Sequence, residues 1–265
     1  ETCTDSTATA THSITVNGGT YTSSKDAINV SEYFKKAVAS GVSSISISGG
    51  TFSDLSALDY LAEGANVTVK LAANTTKDVT IPANTTVTLD LAGHKLTNVS
   101  GHTITNNGTL FVTGNGTVDN IAHGKGALYN NTGATATLNG GTFTRSAEKG
   151  TASPDSANGN SWYTVKNYGT MTINSNVTIT NTGSHSSAVA NGWFDVSKAG
   201  SNGEPIYTTN AVLTINGGNI SGGKITVKND DYGTLTITGG SISQPLNGLY
   251  CIYNANVTAI SGGNV

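Results

Sequence analysis

Apolar and polar residues alternate in short runs along most of this chain, and the runs recur. In Gly233-Thr234-Leu235-Thr236-Ile237-Thr238-Gly239-Gly240-Ser241-Ile242 the aliphatic residues alternate with threonines up to a Gly-Gly pair, after which a second run begins. The same pattern reads from Ala211 through Leu213, Ile215 and Gly217-Gly218 to Ile220. Degraded copies follow Gly108, Ala134 and Gly169, and others centre on Val87-Leu89 and Thr258-Ile260. A period of two puts successive side chains on opposite faces of a strand.

The first apolar positions of the copies are Val87, Leu110, Ala136, Met171, Leu213, Leu235 and Thr258, separated by 23, 26, 35, 42, 22 and 23 residues. A basal cycle of 22–26 residues with two-residue alternation inside it predicts a right-handed parallel β-helix. Inward Leu, Ile and Val then stack on their equivalents one coil away, and outward Thr and Ser form hydroxyl ladders. The Gly-Gly pairs suit tight corners, because glycine tolerates positive φ. Asn107, Asn131, Asn167, Asn210 and Asn229 fall near one corner, where stacked amides would satisfy backbone groups. A β-sandwich of hairpins also alternates, but it does not demand equal register over so long a cycle.

The pattern changes before residue 65. Asp26–Ser40 places Val30, Tyr33, Phe34, Ala37 and Val38 on one helical stripe, with Gly41 as a stop. Ser53–Glu63 reads as a second short helix through Leu55, Leu58 and Leu61, closed by Gly64. Residues 1–64 are therefore expected to cap the open end of a coil formed by 65–265, since bare strand edges recruit other chains.

Composition narrows the functional classes. Charged residues make up 11% of the chain, Gly numbers 33 and Pro 4, so neutral hydroxyl and amide groups must cover the surface. A net charge of −3 and one arginine, Arg145, argue against nucleic acid as a partner. No apolar run of 18 residues is present, so membrane insertion by this segment is not expected. Cys3 and Cys251 would sit some ten coils apart at about 4.8 Å each. A disulfide is therefore not expected unless the N-terminal tail folds back.

The segments Gly-Gly-Thr-Phe-Ser-Asp-Leu-Ser-Ala-Leu-Asp-Tyr-Leu-Ala-Glu-Gly (49–64) and Thr-Leu-Asp-Leu-Ala-Gly-His-Lys-Leu-Thr-Asn (88–98) resemble parts of large repetitive surface proteins of Gram-positive gut bacteria. With the Gly-Thr-Leu-Thr-Ile-Thr-Gly-Gly units, residues 65–265 look like the pectin-lyase-like right-handed β-helix superfamily. That resemblance implies an extracellular, adhesin-like segment of a longer bacterial surface chain. Its members include lyases, glycoside hydrolases, phage tailspikes and non-enzymatic adhesins, so activity is not implied by the fold. The calcium-binding acidic clusters and the arginine of pectate lyases have no counterpart that aligns.

A regular coil acquires function through insertions at its corners. The two oversized steps place insertions near 145–163 and 184–207, in consecutive coils. Both tryptophans of the chain, Trp162 and Trp193, lie there with Tyr163, Phe194 and Tyr207. Clustered aromatics suit a recognition surface for a host or dietary glycan, or for a host protein of the mucin or immunoglobulin type. They equally suit a mini-core that holds long loops against the coil. A carbohydrate-active enzyme would need two carboxylates, for which Asp195 and Glu204 are the candidates. A passive spacer is the third reading.

Other candidates are weaker. Asp90 with His94 fits corner hydrogen bonding better than chemistry. Asp230-Asp231 suits a solvated corner, with calcium ligation the sharper alternative. His12, His102, His123 and His185 lack metal-site spacing, and no cofactor is expected.

Overall fold

The computed structural model describes residues 12–147, 162–183, 186–193, 209–245 and 248–265. They form a right-handed parallel β-helix. Three sheets run along the coil, and every strand pairing in them is parallel. The first sheet has eleven strands, from Ser13–Val16 to Val257–Ile260. The second has seven, from Thr75–Thr76 to Ser241–Ser243, and the third seven, from Val79–Ile81 to Tyr250–Asn254.

The repeat pattern translates directly into register. Val87, Leu110, Ala136, Met171, Leu213, Leu235 and Thr258 are consecutive partners in the first sheet, and Val67 extends the column by one coil. Leu96, Val118, Phe143, Ile179, Ile220 and Ile242 form the equivalent column of the second sheet. Apart from the terminal Thr258, both columns belong to one continuous apolar core, which each coil extends. The residues between them face outward, mostly as threonine.

An asparagine ladder closes the corner between the third and first sheets. Asn106, Asn130, Asn167, Asn191, Asn229 and Asn254 share one register, and each side-chain amide donates to the next side-chain carbonyl at 2.7–2.8 Å. The spare amide hydrogens reach backbone carbonyls of the next strand, such as Thr135, Thr170 and Val212. The ladder therefore runs one residue before the positions expected at 107 and 131. Those two bond to each other on the outside, and Asn210 pairs with Thr234 instead. Counting residues could not resolve this offset, because the inward position depends on where each strand ends.

The Gly-Gly pairs have two separate causes. The second glycine takes positive φ, as at Gly218 (+87°) and Gly240 (+94°). The first does not, but it crosses the backbone of the preceding coil: a Cβ on Gly217 would lie 2.7 Å from Ser175 Cα.

The N-terminal region departs from expectation in two places. The first helix is confined to Glu32–Ala39, capped by Ser31 Oγ accepting from Phe34 N–H. The preceding backbone is engaged elsewhere, with Ala27 and Ile28 N–H donating to Asp54 and Ser56. The second helix is a 3₁₀ segment, Leu55–Tyr60, and Leu61 already begins the strand Leu61–Lys70. Gly64 takes positive φ within that strand, beside an irregularity in its pairing with Ser44–Phe52, rather than closing a helix. The boundary drawn after residue 64 thus falls inside a strand of the first sheet.

Candidate functional site

The outer face of the third sheet carries one row of residues in register: Thr80, Thr105, Tyr129, Lys166, Ala190, Lys228 and Tyr253. It begins as the hydroxyl ladder seen elsewhere, then changes character at Tyr129. From there Tyr129, Lys166, Ala190, Lys228 and Tyr253 take the place of threonine.

Around this row the aromatic side chains form one connected group. Tyr129 stacks on His102 at 4.6 Å and meets Tyr168 edge-on at 5.5 Å. Trp162 lies edge-on to His102 at 5.4 Å, to Tyr129 at 6.0 Å and to Tyr163 at 4.8 Å. Tyr168 continues to Trp193 at 5.9 Å, and Tyr232 packs against the group. Edge-on and offset pairs at these separations are favourable because ring edges are positive and faces negative.

A buried lysine holds the centre. Lys166 is 1% exposed, and its Nζ donates to the Gly192 carbonyl at 2.7 Å. It also lies over the faces of Tyr163 at 4.7 Å and Tyr168 at 4.6 Å. Asp230, equally buried, has one oxygen 3.8 Å from Lys166 Nζ and the other 2.8 Å from Lys228 Nζ. Carbonyl, ring faces and carboxylate together compensate a cation that burial would otherwise penalise.

The insertion roots are tied to the coil by main-chain acceptors. The Trp162 carbonyl accepts from Arg145 Nη1 at 2.7 Å and from Asn181 Nδ2 at 3.1 Å. Arg145 also donates to the Ala122 carbonyl at 3.3 Å. Its side chain is buried at the end of the second-sheet strand Gly141–Thr144, where Asn98 and Asn120 stand in the two preceding coils, so its role is to anchor the loop root. His102 accepts from Gly126 N–H through Nδ1 at 2.9 Å. Burial, with Lys125 and Arg145 adding positive charge nearby, brings its pKa down to about 4.

Three of the expected contact residues therefore share one surface: Trp162, Tyr163 and Trp193. Trp162 and Tyr163 are half-buried, whereas Trp193 is 2% exposed and supports the group from within. Phe194, Asp195, Glu204 and Tyr207 lie outside the described residues, as does His185. The solvated or calcium-binding reading of Asp230-Asp231 is overturned at Asp230, which is buried between two lysines. Among the described residues no three His, Cys, Asp or Glu side chains come together as a metal site. Asp90 accepts from Ala92 N–H at 2.9 Å, a corner bond. Cys251 is a free thiol, and Cys3 lies outside the described residues.

Tyr129, Lys166, Tyr168 and Lys228 were not expected at a site, and Asp230 only as a possible calcium ligand, although a signal for them existed. Each immediately flanks a ladder asparagine, as in Tyr129-Asn130, Lys166-Asn167-Tyr168 and Lys228-Asn229-Asp230. Aligning coils on those asparagines shows the hydroxyl row broken at Tyr129, Lys166 and Lys228. With this geometry in view, comparison with known proteins gives no match to any family model, to any curated protein or to any solved structure.

Proposed function

We propose that this chain is a non-enzymatic, extracellular recognition module of a bacterial surface adhesin related to the pectin-lyase-like β-helices. The supporting observation is the half-buried pair Trp162–Tyr163, set at the rim of a packed aromatic group where the two insertions meet the coil. A ring held edge-on by its neighbours, on a rigid scaffold, presents a fixed apolar face. A sugar ring offers a matching C–H face. A host or dietary glycan is the ligand class that best suits such a surface. A host protein of mucin or immunoglobulin type is the alternative ligand.

The test is binding of the wild type and of Trp162→Ala to a panel of immobilised mucin glycans, plant polysaccharides, deglycosylated mucin and immunoglobulin. Expected is glycan binding weakened at least about tenfold by the substitution, as for a stacking residue worth 1.4 kcal/mol or more. Unaltered glycan binding removes Trp162 from the site. Capture of deglycosylated mucin or immunoglobulin with no glycan binding transfers the surface to a protein ligand. An enzymatic reading rests on Asp195 and Glu204, and sugar release from a polysaccharide that Asp195→Asn abolishes would replace the present one.

A further inference from the structure

A second feature lies at the opposite end of the coil, where the lattice of strands has a gap. The first sheet continues three strands beyond the others, through Ser44–Phe52 to Ser13–Val16 and Thr20–Tyr21, whereas the second sheet stops at Thr75–Thr76. The 3₁₀ segment Leu55–Tyr60 replaces both missing strands of the coil before it and packs against Val79–Ile81, the first strand of the third sheet. Over Thr75–Thr76 it leaves a cleft of about 690 Å³. Residues 72–77 line it together with residues 23–26, 28–30 and 53–56, Asp59 and Tyr60.

Thr75 and Thr76, the first strand of the second sheet, line this cleft. Lys77 N–H donates to the Thr97 carbonyl on the paired side. Because successive residues of a parallel strand turn their polar groups to alternate sides, Thr76 directs its N–H and C=O into the cleft. The walls hold themselves in place: Asp54 accepts from Ala27 and Ser56 N–H, and Lys77 bridges Asp59 at 2.7 Å and the Leu55 carbonyl at 3.3 Å. The opening therefore does not depend on an occupant. Thr75 stands in register with the inward Leu96, so the next position in that column calls for an apolar side chain, flanked by hydroxyl residues as Phe143, Ile179 and Ile242 are in three other strands of this sheet.

We propose that the cleft binds an extended peptide segment of a partner protein, an aliphatic residue flanked by Ser or Thr, as an added parallel strand on Thr75–Thr76. Strand addition gives affinity through main-chain bonds and selectivity through alternate side chains. The site is independent of the aromatic surface.

The experiment uses a peptide copying this chain's own second-sheet strand, acetyl-Gly-Ser-Ile-Ser-Gln-amide, added to the whole chain. Amide hydrogen exchange of Thr76 is followed by NMR. Saturating peptide is expected to slow Thr76 exchange at least tenfold. Peptides N-methylated at alternate residues are expected to divide into one set that retains the effect and one that loses it. Ala73→Trp, which fills the cleft from an exposed position, is expected to abolish protection while the circular dichroism spectrum stays unchanged. Absence of protection at millimolar peptide, equal loss from every N-methylation, or protection by maltotriose in place of the peptide overturns the proposal.

Discussion

Asn167 donates its side-chain amide to the Asn191 side-chain carbonyl at 2.7 Å and accepts from Asn130 at the same distance. It also donates to the Val212 carbonyl and accepts from Gly169 N–H. One buried side chain thus satisfies groups in three coils. Asn167→Ala strands several of them without water and is expected to cost about 3 kcal/mol, since each buried orphan costs about 1–3 kcal/mol. A fall in the urea midpoint at unchanged slope checks this. Asn210→Ala, at an exposed position, should move the midpoint little.

The Gly-Gly corners give a contrast between two adjacent positions. Gly218→Ala strains a backbone at φ +87°, while Gly217→Ala drives a methyl group into the Ser175 backbone. Both are expected to destabilise by more than about 1 kcal/mol. If φ were the sole reason for the pair, Gly217→Ala would be neutral in the same urea titration.

His102 makes stability depend on acid. Its folded pKa is about 4 against an ordinary 6.5, so the unfolded chain takes up the proton first as pH falls. The neutral ring's contribution is fully present above pH 6.5. It declines from there towards pH 4 and is gone below it, a loss of about 3 kcal/mol from this group. His102→Phe should flatten that part of the curve when midpoints are measured from pH 7.5 to 4.

Lys166 and Asp230 form a buried pair whose members depend on each other. Lys166→Met leaves Asp230 buried with Lys228 as its remaining cation and is expected to cost about 2–4 kcal/mol. Adding Asp230→Leu should restore part of the loss, because Lys228 is near enough to the surface to reach water. Strictly additive losses in this double-mutant cycle would mean that the two side chains are uncoupled.

How far the sequence reveals the molecule depends on the periodicity of the signal. Leu110, Leu213 and Leu235 recur on a lap of the chain, so their stacking was legible to the residue. The helix at 26–40 was overextended, because the engagement of Ala27 and Ile28 by Asp54 and Ser56 is a tertiary contact that no local period encodes. Trp162, Tyr163 and Trp193 could be grouped because their insertions are consecutive. Lys166 escaped notice and Asp230 was read as a solvated corner or calcium ligand, since a charged residue in an outward position ordinarily implies exposure. Their burial arises only after the coil brings residues 64 apart in sequence to within two turns of each other.

The rungs of the asparagine ladder are separated by 24, 37, 24, 38 and 25 residues, yet each bond has nearly the same length. Axial rise is consequently insensitive to how much chain intervenes between rungs. A corner segment can be lengthened, shortened or exchanged for an unrelated one without displacing the coils above and below it. Such a scaffold can exchange its corner segments while the distance between its two ends is conserved.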